Sequence, residues 1–201
     1  MENSTRKAII NRKTGETEVS ISLVLDGTGV AQINTGVGML DHLLAQLAKH
    51  GRFDLAITGK GDLEVNEHHT VEDVGIALGQ AFAKALGDRS GIIRMGHAIV
   101  PLDESLALVA VDLSGRGYGK IDIAFDKDYI GELPTDLVGH FLESFAMEGR
   151  LTFHGQLLAG SNDHHKAEAL FKSLARAMDM ATTVDDRITR VIPSTKGVLD
   201  H

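Results

Sequence analysis

Two short motifs concentrate side chains that bind metal ions. The first reads His68-His69-Thr70-Val71-Glu72, and the second, at residues 164–168, reads HHKAE. On a helix, the second histidine of each motif shares a face with the glutamate three residues later, whereas the first histidine points about 100° away. Since imidazole and carboxylate both bind divalent metals, each motif is predicted to serve two different metal ions.

The spacing of these residues indicates an internal duplication. His42 and His140 are 98 positions apart, and His69 lies 96 positions before His165. A single histidine pair would more often cap a helix or lie in a core, but two copies in register favour metal binding. Eight residues are therefore candidate metal ligands: His42, His68, His69, Glu72, His140, His164, His165 and Glu168.

Helix geometry predicts how these ligands divide between two metals. One predicted group consists of His42, His69 and Glu72. The other consists of His140, His165 and Glu168, and the first histidine of each motif crosses to the other group. The chain has no cysteine, and a single carboxylate in each predicted group argues against a calcium site, so manganese, iron and zinc remain open on chemistry alone. A closed, purely structural metal site is the alternative.

Hydrophobic periodicity predicts an α+β chain made of two similar halves, each with the order βββαβα. The first half, residues 1–92, is predicted to contain strands 7–11, 17–25, 30–34 and 53–58 and helices 39–50 and 68–87. The second, residues 93–201, is predicted to contain strands 97–100, 106–113, 118–124 and 151–158 and helices 135–147 and 163–181. A turn is predicted over residues 59–62. Each half ends in a helix that a paired-histidine motif opens.

Composition limits the class of protein. The chain has 201 residues, 43% of them apolar, and a formal net charge of −8. It can bury a sizeable core as one compact unit, and its acidic balance argues against nucleic-acid binding. The sequence starts without an apolar signal core and contains no run near the roughly 18 apolar residues of a membrane span. We therefore expect a cytoplasmic protein with no membrane contact.

Other residues could handle a substrate. Glu16 lies where a turn meets a strand and could act as a general acid or base, although alone it is an ordinary surface carboxylate. Lys172 lies one helical turn beyond Glu168, where an ion pair is the simpler interpretation. Together with Lys172, four further residues offer donors for a phosphate ester, although each of them alone is more often a solvated side chain: Arg94, Arg116, Ser194 and Lys196.

Four separated motifs in order resemble the imidazoleglycerol-phosphate dehydratase family: GVGMLDHLL (36–44), HHTVED (68–73), HHKAEALFK (164–172) and PSTKGVL (193–199). The resemblance implies a lyase of L-histidine biosynthesis that dehydrates D-erythro-imidazole glycerol phosphate to imidazole acetol phosphate through a metal-stabilised imidazolate. It implies two Mn²⁺ per active site, a ribosomal protein S5 domain 2-like fold, and a shell of about 24 subunits built from trimers with sites between chains.

The family's metal ligands fall on the same eight residues. Glu16, His68 and His164 are the catalytic residues that the resemblance implies. Substrate contacts fall on Glu16, His50, Arg94, Arg116, Lys172, Ser194 and Lys196. The chain departs from common family residues at Asn66, Gly117 and Gly139. Two other classes remain as alternatives: a dinuclear metallohydrolase of phosphate esters, and a non-catalytic, metal-bridged shell protein.

Overall fold

Two four-stranded sheets of the same topology form the framework of the chain. The computed structural model describes residues 6–189 and 191–199. In the first sheet, β1 (Lys7–Lys13), β2 (Thr17–Val24), β4 (Asp54–Gly61) and β3 (Ala31–Asn34) lie in that order. In the second, β5 (Met95–Leu102), β6 (Ser105–Asp112), β10 (Thr152–Ala159) and β7 (Tyr118–Asp122) lie in the equivalent order. In both sheets the last pair of strands is parallel and the other pairs are antiparallel.

Four helices complete the duplicated pattern. The first half contains α1 (Gly38–Gly51) and α2 (His68–Leu86), and the second contains α3 (Thr135–Glu148) and α4 (Asp163–Thr182). The predicted order βββαβα is confirmed in each half. The second half adds a hairpin of β8 (Tyr129–Ile130) and β9 (Leu133–Pro134), which the sequence did not predict because two residues per strand are too few to show alternation.

The predicted turn over residues 59–62 is wrong in its position. Gly59, Lys60 and Gly61 belong to β4, where they pair with residues 17–19 of β2. Their glycine-rich composition is typical of a turn, but pairing along the whole of β2 keeps them extended. The strand therefore continues to Gly61, and Asp62 is the first residue after it.

The helices pack across the two halves. The central strands β2 and β6 bury alternate residues, so each sheet is covered by helices on one face. Helix α2 lies on β1 and β2, and α4 lies on β5 and β6. Helix α1 packs against α4, and α2 packs against α3, so helices of different halves are neighbours. One buried apolar cluster consequently includes residues from both halves.

Among the described residues, no helix has the length and apolar character needed to cross a membrane. The first five residues, on which the expectation about a signal core partly rests, lie outside the described part of the chain.

Candidate metal centre

The first group of possible metal ligands joins α2 to α3. His68 and Glu72 lie on α2, and His140 lies on α3. The Glu72 Oε1 and His140 Nε2 atoms are 3.3 Å apart, and the ring centroids of His68 and His140 are 4.8 Å apart. One ligand atom from each of the three residues lies within 4.8 Å of the others, which is close enough for all three to bind one ion.

The second group has the same composition and joins α4 to α1. Glu168 Oε1 lies 2.9 Å from His42 Nε2 and 3.0 Å from His164 Nε2. Helix α4 supplies His164 and Glu168, and α1 supplies His42. Asn162 accepts hydrogen bonds from the backbone N–H groups of residues 164 and 165, so the first turn of α4 is fixed where its ligands project.

The grouping predicted from helix positions is wrong for the two glutamates within one chain. The predicted crossing of the first histidines agrees with the structure, since His164 lies with His42 and His68 lies with His140. His42 groups with His164 and Glu168, although the prediction assigned it to Glu72 of its own half. Positions on a helix face do not show which helices become neighbours, and in the structure α1 packs on α4 and α2 packs on α3. Each group therefore takes one histidine from one half and a His-x-x-x-Glu pair from the other.

Glycines allow α2 and α3 to approach closely enough to form the first group. A Cβ atom on Gly79 would lie 2.6 Å from both Gly149 N and Phe145 O. A Cβ atom on Gly75 would lie 2.9 Å from Phe141 O. Any side chain at these positions would push the helix backbones apart, because the atoms in its way are backbone atoms. The two glycines thus set the distance between Glu72 and His140.

The donor atoms suit a divalent first-row metal. Each group offers two imidazoles and one carboxylate, with no sulfur. His140 Nε2 is buried and has no hydrogen bond within the described residues, although Glu72 Oε1 is only 3.3 Å away. A buried imidazole nitrogen that makes no hydrogen bond and lies beside a carboxylate oxygen is suited to binding an ion. The residues present therefore fit a metal.

Glu168 is held in its ionised form. Burial opposes its ionisation, but hydrogen bonds from Lys172, His42 and His164 outweigh that effect and lower the pKa of Glu168 to about 2. Lys172 Nζ lies 2.6 Å from Glu168 Oε2, which confirms the predicted ion pair one helical turn apart. A carboxylate that is ionised at neutral pH is ready to bind a cation.

His69 and His165 lie outside both groups of their own chain. His69 Nδ1 is 3.1 Å from Asp62 Oδ2, and His165 Nδ1 is 2.8 Å from Glu104 Oε2. These hydrogen bonds raise the pKa of both imidazoles, and the bond from His165 is the largest cause that lowers the pKa of Glu104. The Nε2 atom is the ring nitrogen left for a metal when a carboxylate holds Nδ1–H.

Glu16 lies in the loop between β1 and β2, next to His69. Its side chain is 57% exposed, and its Oε2 atom is 3.8 Å from His69 Nδ1, which is beyond hydrogen-bond distance. An open cavity of about 370 Å³ includes Glu16, Lys60 and Asp62 in its lining. The Glu16 carboxylate is therefore accessible to a small molecule beside one of the candidate ligands.

The four predicted phosphate-binding residues share one cavity. Arg94, Arg116, Ser194 and Lys196 all line a space of about 630 Å³ between the start of β5 and the C-terminal segment. Asp112 accepts hydrogen bonds from Arg94 Nε and Nη2 at 2.7 and 2.8 Å, and the Pro193 carbonyl accepts one from Arg94 Nη1 at 2.7 Å. The arginine therefore has a fixed orientation and ties the C-terminal segment to the sheet.

The two other predicted substrate contacts, His50 and Lys172, lie elsewhere in the chain, along the α1–α4 pair. His50 Nε2 is 3.1 Å from Gln46 Oε1. Burial, followed by the nearby Lys172 and Arg176, lowers the pKa of His50. The cavity that holds the phosphate candidates includes neither residue in its lining.

Sequence reasoning missed three carboxylates around the site: Asp62, Glu104 and Asp112. Asp62 and Glu104 accept hydrogen bonds from candidate histidine ligands, and Asp112 accepts hydrogen bonds from Arg94. A signal for Glu104 was present, because it lies 88 positions after Glu16, the same offset that separates β1 from β5 and β2 from β6. Nothing in local periodicity marks Asp62 or Asp112 as a partner of a distant side chain.

The duplicated α+β fold and its two His/Glu groups define a metal-dependent enzyme class. The family model for imidazoleglycerol-phosphate dehydratase matches residues 35–178. Proteins of that name from Dehalococcoides mccartyi (strain CBDB1) and Roseiflexus sp. (strain RS-1) are 59% and 55% identical to the chain, which covers 98% and 100% of their lengths. The alignments include 98% and 99% of the chain itself.

Two solved structures show the same fold. The crystal structure of imidazoleglycerol-phosphate dehydratase from Staphylococcus aureus has a TM-score of 0.81 at 36% identity and covers 89% of this chain and 99% of its own. The IGPD structure from Pyrococcus furiosus has a TM-score of 0.82 at 36% identity and covers 94% of this chain and 100% of its own. The chain belongs to the imidazoleglycerol-phosphate dehydratase family. It is accordingly a carbon–oxygen lyase of the hydro-lyase type, and the metallohydrolase and shell-protein alternatives are not favoured.

Proposed function

We propose that the chain dehydrates D-erythro-imidazole glycerol phosphate to imidazole acetol phosphate in L-histidine biosynthesis, with two Mn²⁺ ions per active site. The observation that carries the proposal is the pair of groups that each combine two histidines and a glutamate across α1–α4 and α2–α3. The protein acts in the cytoplasm in this proposal.

The proposed ligands are the eight residues of the duplicated motifs. Six of them form the two groups of one chain, and His69 and His165 are the remaining two. Since their Nδ1 atoms are held by carboxylates of the same chain, their Nε2 atoms are left to complete the groups of neighbouring copies. The active site is thus built between chains in this proposal.

Two metal ions at these groups would supply Lewis-acid chemistry to the substrate's imidazole ring. The reaction removes the hydroxyl beside that ring together with a carbon-bound proton, and the resulting enol becomes the ketone product. Glu16 moves the carbon-bound proton, because its carboxylate is exposed and no hydrogen bond to His69 occupies it. His68 and His164, which point away from the second histidines of their motifs, orient the ring through the groups they help to form.

The phosphate of the substrate is proposed to bind Arg94, Arg116, Ser194 and Lys196. Their common cavity supports this role, since a guanidinium, an ammonium and a hydroxyl are donors suited to phosphate oxygens. Lys172 and His50 complete the proposed substrate contacts beside Glu168. Fixing the phosphate would keep the reacting carbon next to Glu16 and so convert binding into orientation.

Self-association into a shell of about 24 subunits built from trimers is part of the proposal. Large apolar side chains on the outer faces of the sheets support it, since Ile9 is 61% exposed, Ile99 57% and Met95 56%. Contact between copies would bury these side chains. It would also bring His69 and His165 to groups of other chains.

The test is to mix metal-stripped protein, reloaded with Mn²⁺, with imidazole glycerol phosphate and to follow the product. We expect an enolisable ketone to form and inorganic phosphate to stay absent. The protein without metal is the control. Release of inorganic phosphate without the ketone would overturn the proposal.

A further inference from the structure

Glu104 links the start of α4 to a histidine ring. Its Oε2 atom accepts the hydrogen bond from His165 Nδ1 at 2.8 Å. Its Oε1 atom accepts backbone N–H groups of Ser161 at 3.1 Å and Asn162 at 2.8 Å, just before the helix. Both oxygens of one carboxylate are thus committed, so the side chain cannot rotate without losing bonds at both ends.

The duplication relates Glu104 to Glu16. Strands β1 and β5 start 88 positions apart, as do β2 and β6, and the hairpin between each pair carries one of these glutamates. The two residues nevertheless have different surroundings. Glu104 is bonded to His165, whereas Glu16 is 3.8 Å from His69, and Asp62 holds His69 Nδ1 at 3.1 and 3.2 Å.

The cause of this difference is the residue that follows β4 in the first half and β10 in the second. Strands β4 and β10 are 98 positions apart, so Asp62, the first residue after β4, corresponds to Gly160 after β10. Gly160 has no side chain, and a Cβ atom there would lie 2.5 Å from Ser105 Oγ. The second half therefore has no carboxylate at the position of Asp62, and the hairpin glutamate reaches the imidazole.

We propose that Asp62 and Glu104 are positioning residues that keep the proton on Nδ1 of His69 and His165 and so present Nε2 as the ligand atom. The inference rests on the proposed function, in which those histidines bind metals. As a consequence, the two hairpin glutamates, Glu16 and Glu104, have different roles. Asp62 frees Glu16 to move a proton, whereas Glu104 is committed to His165 and is not a second acid or base.

Glu104→Gln is the sharpest test because an amide has one acceptor and one donor end. Its oxygen can keep the backbone N–H groups of residues 161 and 162, but its NH₂ group then faces His165 Nδ1. A donor at that position stabilises the ring form with its proton on Nε2, which blocks metal binding. We expect Mn²⁺ affinity at one of the two sites to fall about 10- to 100-fold, as is typical when a residue that orients a metal ligand is changed.

Asp103→Asn is the matched control, since Asp103 Oδ2 lies 3.9 Å from the same His165 Nδ1 atom and its side chain is 75% exposed. It removes the same charge but no hydrogen bond, so Mn²⁺ affinity should stay within about twofold of wild type. For the first half, Asp62→Ala should weaken Mn²⁺ affinity at one site. Asp62→Asn should retain the affinity of wild type, because either oxygen of Asp62 can serve as the acceptor and the amide keeps one oxygen.

The measurement is isothermal titration of metal-stripped, full-length protein with Mn²⁺, with thermal unfolding of each metal-free variant alongside. Unchanged affinity in Glu104→Gln, or an equal loss in Asp103→Asn, would overturn the inference. A loss of Mn²⁺ affinity would also overturn the inference if the metal-free form of the same variant lost stability to a matching extent. Turnover of wild type is assayed separately, so inactivity towards imidazole glycerol phosphate would count against the proposed function and leave the metal result standing.

Discussion

Glu72 and His140 come from different halves of the chain, yet Glu72 Oε1 and His140 Nε2 lie 3.3 Å apart. The pair exists because α2 of the first half packs against α3 of the second. The related pair, Glu168 and His42, is formed in the same way by α4 and α1. Each metal group therefore requires both halves, and neither copy of the paired-histidine motif forms a group by itself.

The first prediction concerns which residues share a metal. Glu72→Gln and His140→Ala should each reduce the metal content from two ions per chain to one, and the double variant should also keep one. Combining His140→Ala with His42→Ala should remove both ions. Elemental analysis of purified protein measures the content. A double variant of Glu72 and His140 that holds no metal would show that the two residues serve different ions.

The second prediction concerns the spacing of α2 and α3. Alanine is the better helix former by about 1 kcal/mol, but a Cβ atom on Gly79 would lie 2.6 Å from backbone atoms of α3 and the following residue. Overpacking of this kind costs about 1–3 kcal/mol, so Gly79→Ala should lower the free energy of unfolding in urea and weaken one metal site.

Gly119→Ala is the control for this change. Its Cβ atom would meet its nearest neighbour at 3.6 Å, which is an ordinary contact. Both variants add one methyl group, so only the one at the helix contact should alter metal affinity. Equal metal affinity in the two variants would contradict the role assigned to Gly79.

The third prediction concerns Glu16. Glu16→Gln should keep the metal content of wild type, because Asp62 holds His69 and Glu16 does not. It should reduce kcat by about 10²- to 10⁴-fold, the usual contribution of general acid–base catalysis. Steady-state kinetics with elemental analysis of the same sample measures both quantities. Turnover near that of wild type would exclude Glu16 from proton transfer.

The fourth prediction concerns the pH dependence of stability at the start of α4. Burial opposes ionisation of Asp163, but bonds from Lys166 and from the N–H groups of Asp126 and Lys127 outweigh it and lower its pKa from the ordinary 3.8. A lowered pKa contributes stability above the unfolded value, and this contribution is lost as pH falls through the folded value. Asp163→Asn should therefore be less stable than wild type near neutral pH, and the difference should shrink in acid.

Urea unfolding at a series of pH values from about 6 to about 3 measures this difference in stability. Linkage predicts that the difference changes within this pH range, in which carboxylates titrate. Asp136→Asn, a change of an exposed carboxylate in the first turn of α3, is the control. A stability difference between wild type and Asp163→Asn that stays constant over the whole series would show that the ionised Asp163 carboxylate has no such role.

The order of the elements could be predicted because strands and helices each produce a characteristic hydrophobic periodicity within a short stretch of sequence. The alternation of Val19, Ile21 and Leu23 in β2 is an example, and the helix that starts at His68 is another. Local periods do not say which helices become neighbours. The predicted grouping of His42 with Glu72 failed for this reason, since the partner of α1 is a helix that starts more than a hundred residues later.

The supporting side chains were harder to predict for a related reason. Asp62 and Glu104 act through hydrogen bonds to residues that are close in the fold, and a single surface carboxylate has no pattern of its own. Glu104 could have been found from the duplication, because its counterpart, Glu16, was already a candidate. Asp62 could not, because its counterpart is Gly160.

The location of the metals in crystals of Mn²⁺-loaded protein is the most direct test of the central claim, which is that each metal is held by both halves of a chain. An anomalous difference map should show two peaks per chain. One should lie within about 2.6 Å of ligand atoms of His68, Glu72 and His140, and the other within the same distance of His42, His164 and Glu168. A peak bound to His42, His69 and Glu72 of a single chain would contradict the claim.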